Sequence, residues 1–374
     1  MLELLSLMLY QLGMTLLSPI FWLVVVIIFI QTYRMAKMKQ KFFQLPKEAV
    51  LKKAIMLLLF GLLGGVAGSM LLILVGISLD EIGIEWLWIF AVMLVLVRQR
   101  FLCFSYSGGL LAISCYCLGW PEVNIAHLMA LVAILHMVEA LLMVLSSRYG
   151  SIPIYTRLQD GRIVGGYMLQ MFWPLPLVAM LPFLATPLEL TEGVLTMPEW
   201  WPLLRGQLSG EINVVYQLIP ILAALGYSDL VLTETVERKV RRSAAYLFLY
   251  SLILLALAIL GDFYKPCSIL AALFAPLAHE GLIQWEKKKE KEGKPYYISP
   301  EGQCLVLDVL PGTKEIKPGD VLVSNGTENW LEKGIIPAPH GKYGPYLILN
   351  EDKGLAAVIY SKLSKKFANG SKMD

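Results

Sequence analysis

PLAHEGLIQWEKKKEKEGKP, residues 276–295, passes from an apolar segment into a lysine-rich strip within a few residues. A change that abrupt marks the end of a membrane-spanning helix, because charged side chains are costly in hydrocarbon and collect at its border. The same stretch sets His279 beside Glu280, the opening letters of a zinc-protease helix. How many spans precede this point, and what hangs beyond it, together decide the fold.

The 374 residues are 57% hydrophobic and only 16% charged. A soluble domain is nearer 45–50% apolar and about 25% charged, so the composition describes an integral membrane protein. Residues 1–30 lack a basic leader, and their apolar stretch runs to spanning length, so no cleaved signal is expected. The five cysteines (Cys103, Cys115, Cys117, Cys267 and Cys304) sit mostly in apolar runs without Cys-x-x-Cys spacing and read as small buried hydrophobes.

A bilayer core takes about 20 apolar residues per helix. That rule divides the chain into about nine candidates, at 15–33, 54–79, 82–97, 101–120, 123–147, 167–185, 212–232, 244–261 and 267–285, with a short interfacial helix at 2–9. The expected fold is an all-α polytopic membrane bundle over residues 1–285, a basic juxtamembrane linker at 286–295, and a small β-rich domain at 296–374. Before Pro295, every lysine and arginine except Arg205 and Lys265 falls in a connection on one and the same side of this arrangement. By the positive-inside rule that side is the cytoplasm. The N-terminus is then expected outside and the C-terminus inside, in a multi-pass bacterial cell-membrane protein whose first partner is the lipid bilayer. Residues 186–211, with Trp200 and Trp201 beside prolines, form the longest outer connection and suit the membrane–water interface.

Catalytic, cofactor and metal-binding sets are not expected. There is no phosphate-binding loop, nucleophile elbow, kinase set or dinucleotide fingerprint, and nothing suggests a nucleic-acid partner. His279 and Glu280 have two readings. One is polar punctuation at the end of a span. The other is a relic or working form of the His-Glu-x-x-His site of membrane-embedded site-2 proteases, whose second ligand position here holds Ile283. His136 and Glu139, three apart on one helix face, read as a packing pair, as part of a proton or ion path with Asp229 in a transporter or channel, or as a metal site shared with His127 or His279. The small residues of GLLGGVAGS (61–69) and SYSGG (105–109) are expected to let helices approach closely.

From Gly293 the pattern changes to short alternating runs between glycines and prolines. Strands are expected within 302–312 and 316–327, and a hairpin within 346–360. Val309-Leu310-Pro311-Gly312-Thr313, then Ile316-Lys317-Pro318-Gly319-Asp320-Val321-Leu322, then Asn325-Gly326, resembles the core of a bacterial PDZ domain in trimmed form. That resemblance implies a turn built on Gly319, Asp320, Asn325 and Gly326. It also implies a peptide-binding edge along the strand from Cys304 to Val309, with Glu301, Gly302, Gln303, Cys304, Leu305 and Val306 receiving the peptide and its carboxylate.

Many spans, the run Leu270 to Glu280 leading into a basic strip, Gly293-Lys294-Pro295 and a PDZ-like end together resemble the MinJ-like proteins of Gram-positive-type bacteria. The resemblance implies a non-enzymatic scaffold that recruits cell-division proteins of the DivIVA and MinD types and helps to place the septum. It also implies enrichment at the septum or pole.

Overall fold

The computed structural model describes residues 2–43, 50–158, 160–184, 195, 197–206, 214–301, 303–309, 316–323, 330, 331, 333 and 335–339. Eight α-helices carry most of them: α1 (Leu2–Leu17), α2 (Pro19–Phe43), α3 (Val50–Val75), α4 (Ile84–Val97), α5 (Phe104–Leu118), α6 (Ile125–Ser146), α7 (Val236–Phe263) and α8 (Lys265–Glu292). Five of these, α2, α3, α6, α7 and α8, are long and apolar enough to cross a membrane; α1, α4 and α5 are shorter apolar helices. The result is a multi-pass membrane fold.

Helix α6 is the hub. It is apolar on most of its surface, as buried and membrane-spanning helices are, and α3, α5, α7 and α8 pack against it. Its first turn is capped by Asn124, whose Oδ1 accepts from the amides of Ala126 and His127 at 3.0 and 3.4 Å. On its far side α5 crosses α8 at Gly109, where a Cβ would lie 2.5 Å from Cδ of Pro276. The SYSGG stretch therefore does let two helices meet, and it does so at a proline that leaves α8 without one amide donor.

The two segments at 167–185 and 212–232 are not helices. They form β2 (Ile163–Leu184) and β3 (Val214–Val231), an antiparallel hairpin whose register runs from Tyr167↔Val231 to Leu184↔Val214, with β1 (Ser151–Arg157) pairing the base of β2. Proline explains the correction. Pro174, Pro176 and Pro182 would each break a helix, but their even spacing aims all three missing amides at the same edge of a strand. Pro220 faces Val178 in the same class of pair and also points away from the ladder.

The edge of β2 that the prolines line is the one that docks on α3. Glycines 61 and 65 lie so close to it that a Cβ on either would collide with the carbonyl oxygens of Pro174 and Pro176. One turn on, Ser69 Oγ accepts from the Val178 amide at 2.9 Å and donates to Gly65 O at 2.6 Å. Four residues of helix rise about 6 Å and two residues of strand rise about 6.6 Å, so positions 61, 65 and 69 keep step with 174, 176 and 178. The small-residue face expected to receive another helix receives a strand edge instead. Further along, Leu79 N donates to Met180 O at 2.9 Å. At the other end Trp173 is fully buried and donates from Nε1 to Ser146 Oγ at 3.1 Å.

Helix α1 is longer than the interfacial segment expected at 2–9. It buries Met8 and Leu12 against Ile73, Val178, Met180 and Leu218 beside the hairpin's distal half. Near the same end Trp201 is half-buried and donates to Ile73 O at 2.7 Å, closing the C-terminus of α3.

Candidate functional site

Two places gather polar side chains that the apolar bulk does not require. The first is the basic end of the bundle. Residues 286–292, expected as a linker, continue α8, because Glu286 and Glu290 lie one turn apart on its inner face and find cations there. Lys239 of α7, with no exposed surface, contacts Asp229 at 3.1 Å, Glu290 at 3.3 Å and Glu286. Arg242 holds Glu286 at 2.8 Å and also Glu234. Glu290 Oε2 accepts from the amides of Leu232 and Thr233 at 2.7 and 3.0 Å, tying α8 to the turn between β3 and α7. Asp229 is thereby committed to an ion-pair network and is not brought to His136 or Glu139.

Upon this end sits the start of the tail, a three-stranded sheet of β4 (Gln303–Val309), β5 (Val321–Val323) and β6 (Ile335–Pro337) in the order β5-β4-β6. The base of the hairpin supplies its mooring. Tyr167 donates its hydroxyl to Leu307 O, Tyr155 donates to Pro337 O at 2.5 Å, and Gly165 N donates to Tyr297 O at 2.9 Å. Lys39 of α2 reaches Asp308 at 3.1 Å. Burial pushes the hydroxyls of Tyr155 and Tyr297 well above the usual phenol range, so Tyr155 remains a neutral donor.

This arrangement corrects the expected peptide edge. β4 is the central strand: Gln303, Cys304 and Leu305 pair with β5, while Val306, Asp308 and Val309 pair with β6. Leu305 is further engaged by Ser299 Oγ, which accepts from its amide at 3.0 Å, and by Ala338 N, which donates to its carbonyl at 2.7 Å. The physical reason is the tight turn after Lys317. Gly319 at φ +96° and Asp320, whose Oδ2 accepts from Lys317 N at 2.7 Å, fold β5 straight back along β4. Glu301 lies just before the sheet; Gly302, Asn325, Gly326 and the expected 346–360 hairpin lie outside the described residues.

The second place is inside the bundle, where α5, α6 and α8 meet. His136 Nε2 is 3.0 Å from Cys103 Sγ, and His279 Nε2 is 3.7 Å from the same sulfur. His136 donates from Nδ1 to Val132 O at 2.7 Å, which leaves Nε2 facing the sulfur. Ser105 Oγ lies 3.2 Å from His136 Nε2 and 2.7 Å from the Tyr250 hydroxyl. The rings of His136, His279, Tyr106 and Tyr250 pack edge to face around the group. The partner that His279 lacks at Ile283 of its own helix is thus supplied from another helix and from the residue preceding α5.

The remaining sequence candidates are dispersed. His127 lies nine residues before His136, about 13 Å along α6, where Nδ1 accepts from Ser78 N at 3.2 Å. Glu280 points away from the sulfur. Its carboxylate accepts from Tyr106 at 2.6 Å and Gln284 at 2.6 Å, and pairs with Arg100 at 3.0 Å. By sequence Cys103 is one more small hydrophobe, because no local spacing connects it with histidines 33 and 176 positions away. Comparison with protein-family models, curated proteins and solved structures finds no match for this chain, so fold and geometry are what its function has to be argued from.

Proposed function

We propose that this chain is a membrane-anchored adaptor, with the basic end in the cytoplasm, that presents its tail sheet at the inner leaflet to other membrane-associated proteins. The observation that carries the reading is the mooring of the tail. Tyr155, Tyr167, Gly165 and Lys39, drawn from three separate elements, hold one small sheet against the basic end. An anchor that fixes both the position and the orientation of a module confines it to two dimensions and raises its effective concentration for partners on the same membrane. The outward lysines of α8, Lys287 and Lys288 among them, suit anionic headgroups. On this reading β5 is the strand available for peptide addition. It is one of the two outer strands among the described residues, the other being β6, which is largely buried and holds the Tyr155 hydroxyl at Pro337 O; Val321 and Val323 of β5 are 53% and 78% exposed.

The resemblance to MinJ-like proteins names the partners to test, division proteins of the DivIVA and MinD types. With a fluorescent tag fused to the full chain in its own bacterium, enrichment at septum or pole and two-hybrid contact with those proteins are expected. Uniform labelling of the envelope, with no contact to either type, refutes the adaptor. The peptidase alternative lacks a free base, because Tyr106, Gln284 and Arg100 occupy the carboxylate of Glu280. The transport alternative loses Asp229 to Lys239.

A further inference from the structure

The group formed by Cys103, His136 and His279 is buried or half-buried, comes from three separate elements, and places its three donor atoms within 4.8 Å of one another. We propose that it is a binding site for a borderline transition-metal ion, zinc in the first instance, with Cys103 Sγ, His136 Nε2 and His279 Nε2 as ligands.

Distance supports this first. Zinc bonds of about 2.3 Å to sulfur and 2.0–2.1 Å to nitrogen, set tetrahedrally, separate the donor atoms by about 3.3–3.6 Å. The observed sulfur-to-nitrogen distances, 3.0 and 3.7 Å, bracket that range, and all three donor atoms lie within 4.8 Å of one another, so the side chains close on an ion by rotation without moving a helix. Thiolate and imidazole are the ligand types that select zinc over the hard ions, which take oxygen.

Protons and orientation support it next. The bond from His136 Nδ1 to Val132 O is the outer contact that metal-bound imidazoles use to fix ring and tautomer, and it leaves the Nε2 lone pair inward. Without an ion, the cluster satisfies itself through a relay in which the thiol donates to His136 and His279 donates to the sulfur. Nδ1 of His279 is then buried with no hydrogen-bond partner among the described residues. An ion replaces both relay protons. The Cys103 thiol releases its proton to solvent as it becomes the anionic ligand, and His279 exchanges its Nε2 proton for one on Nδ1, which turns the Nε2 lone pair to the metal.

Charge completes the case. The site lies about 12 Å of helix inward from Lys287 along α8, and about 15 Å inward from Ser146 along α6, where an uncompensated cation is costly. One thiolate offsets one charge of a divalent ion, and Glu139 lies one turn from His136 on α6. Three protein ligands leave a fourth position, near which Ser105 Oγ lies, 3.2 Å from His136 Nε2. The ion would pin α5, α6 and α8 beneath the tail platform. Its presence does not depend on the adaptor reading.

The test uses the full chain, purified in detergent with a tag free of histidine and without chelators. About one zinc per chain is expected, and cobalt titration should give a sulfur-to-cobalt charge-transfer band. Cys103→Ser should abolish the band, His136→Ala and His279→Ala should lose the stoichiometric metal, Ser105→Ala should weaken binding about tenfold, and His127→Ala should change nothing. Should a ligand variant fail to fold, the wild-type spectrum still decides, because its band requires a thiolate on the metal. A wild-type protein that takes up no zinc or cobalt, or that binds it without the band, overturns the site; so does metal that stays when all three ligands are replaced.

Discussion

Lys239 is the residue on which the basic end turns. A lysine without exposed surface persists only where its charge is matched, and here Asp229, Glu286 and Glu290 match it from three elements. Removing one partner of a buried ion pair costs about 3–5 kcal/mol because the others stay charged and desolvated. Lys239→Met should therefore lower the detergent thermal midpoint sharply, whereas Lys288→Met, on the outward face, should leave it unchanged. Adding Glu286→Gln and Asp229→Asn to Lys239→Met should recover part of the loss, a non-additivity that a purely steric defect would not show. By sequence Lys239 and Arg242 are two more cations of the expected basic side. That count does not show that they face inward, although the Glu286 and Glu290 spacing inside the lysine strip already marks an acidic stripe. Sign is written in composition, but pairing needs the third dimension. For the same reason the sequence offered His279 only the ligand position on its own helix, while the residues that come to it are Cys103 and His136.

At the scale of elements, the contact between α3 and β2 shows how a strand survives among helices. Unpaired backbone groups cannot be left facing hydrocarbon, and β2 avoids this along its docked edge by having prolines at 174 and 176, where no donor exists, and Ser69 at 178, where one does. Close approach requires the glycines. Gly61→Ala or Gly65→Ala would drive a methyl group into backbone carbonyl oxygens, which cannot rotate aside. Each should cost about 1–3 kcal/mol by overpacking, read as a lowered thermal midpoint, while Gly13→Ala, inside α1 and meeting nothing within 4 Å, should leave the midpoint unchanged or raise it. The hydropathy window misread this pair of segments because a long apolar run does not distinguish a buried strand from a buried helix. The alternate prolines did carry the distinction: two-residue spacing is meaningless on a helix and places every proline on one edge of a strand.

For the whole molecule, replacing two spanning helices by one hairpin leaves the order of sides intact. A hairpin goes in and returns, as two helices would, so the segregation of lysines and arginines expected from sequence does not depend on whether these two segments are helices or strands, whereas the number of helices does. The hairpin also accounts for the seating of the tail. Its base emerges at the basic end carrying Tyr167, and beside it β1 carries Tyr155, so the element that fills the bundle also grips what lies beneath it. The Tyr155→Phe and Tyr167→Phe double variant removes two hydroxyl donors and no carbon, leaving two carbonyl acceptors partly unsatisfied; each lost bond is worth about 1 kcal/mol. That loss falls on the tail's attachment and spares the helices. Hydrogen exchange at 303–309 should therefore speed up by about tenfold to thirtyfold in the double variant, with exchange in α6 unchanged. If exchange in β4 and α6 rises together, tail and bundle form one cooperative unit. If neither moves, the hydroxyls do not hold the tail, and its fixed orientation has to come from the Gly165–Tyr297 and Lys39–Asp308 contacts.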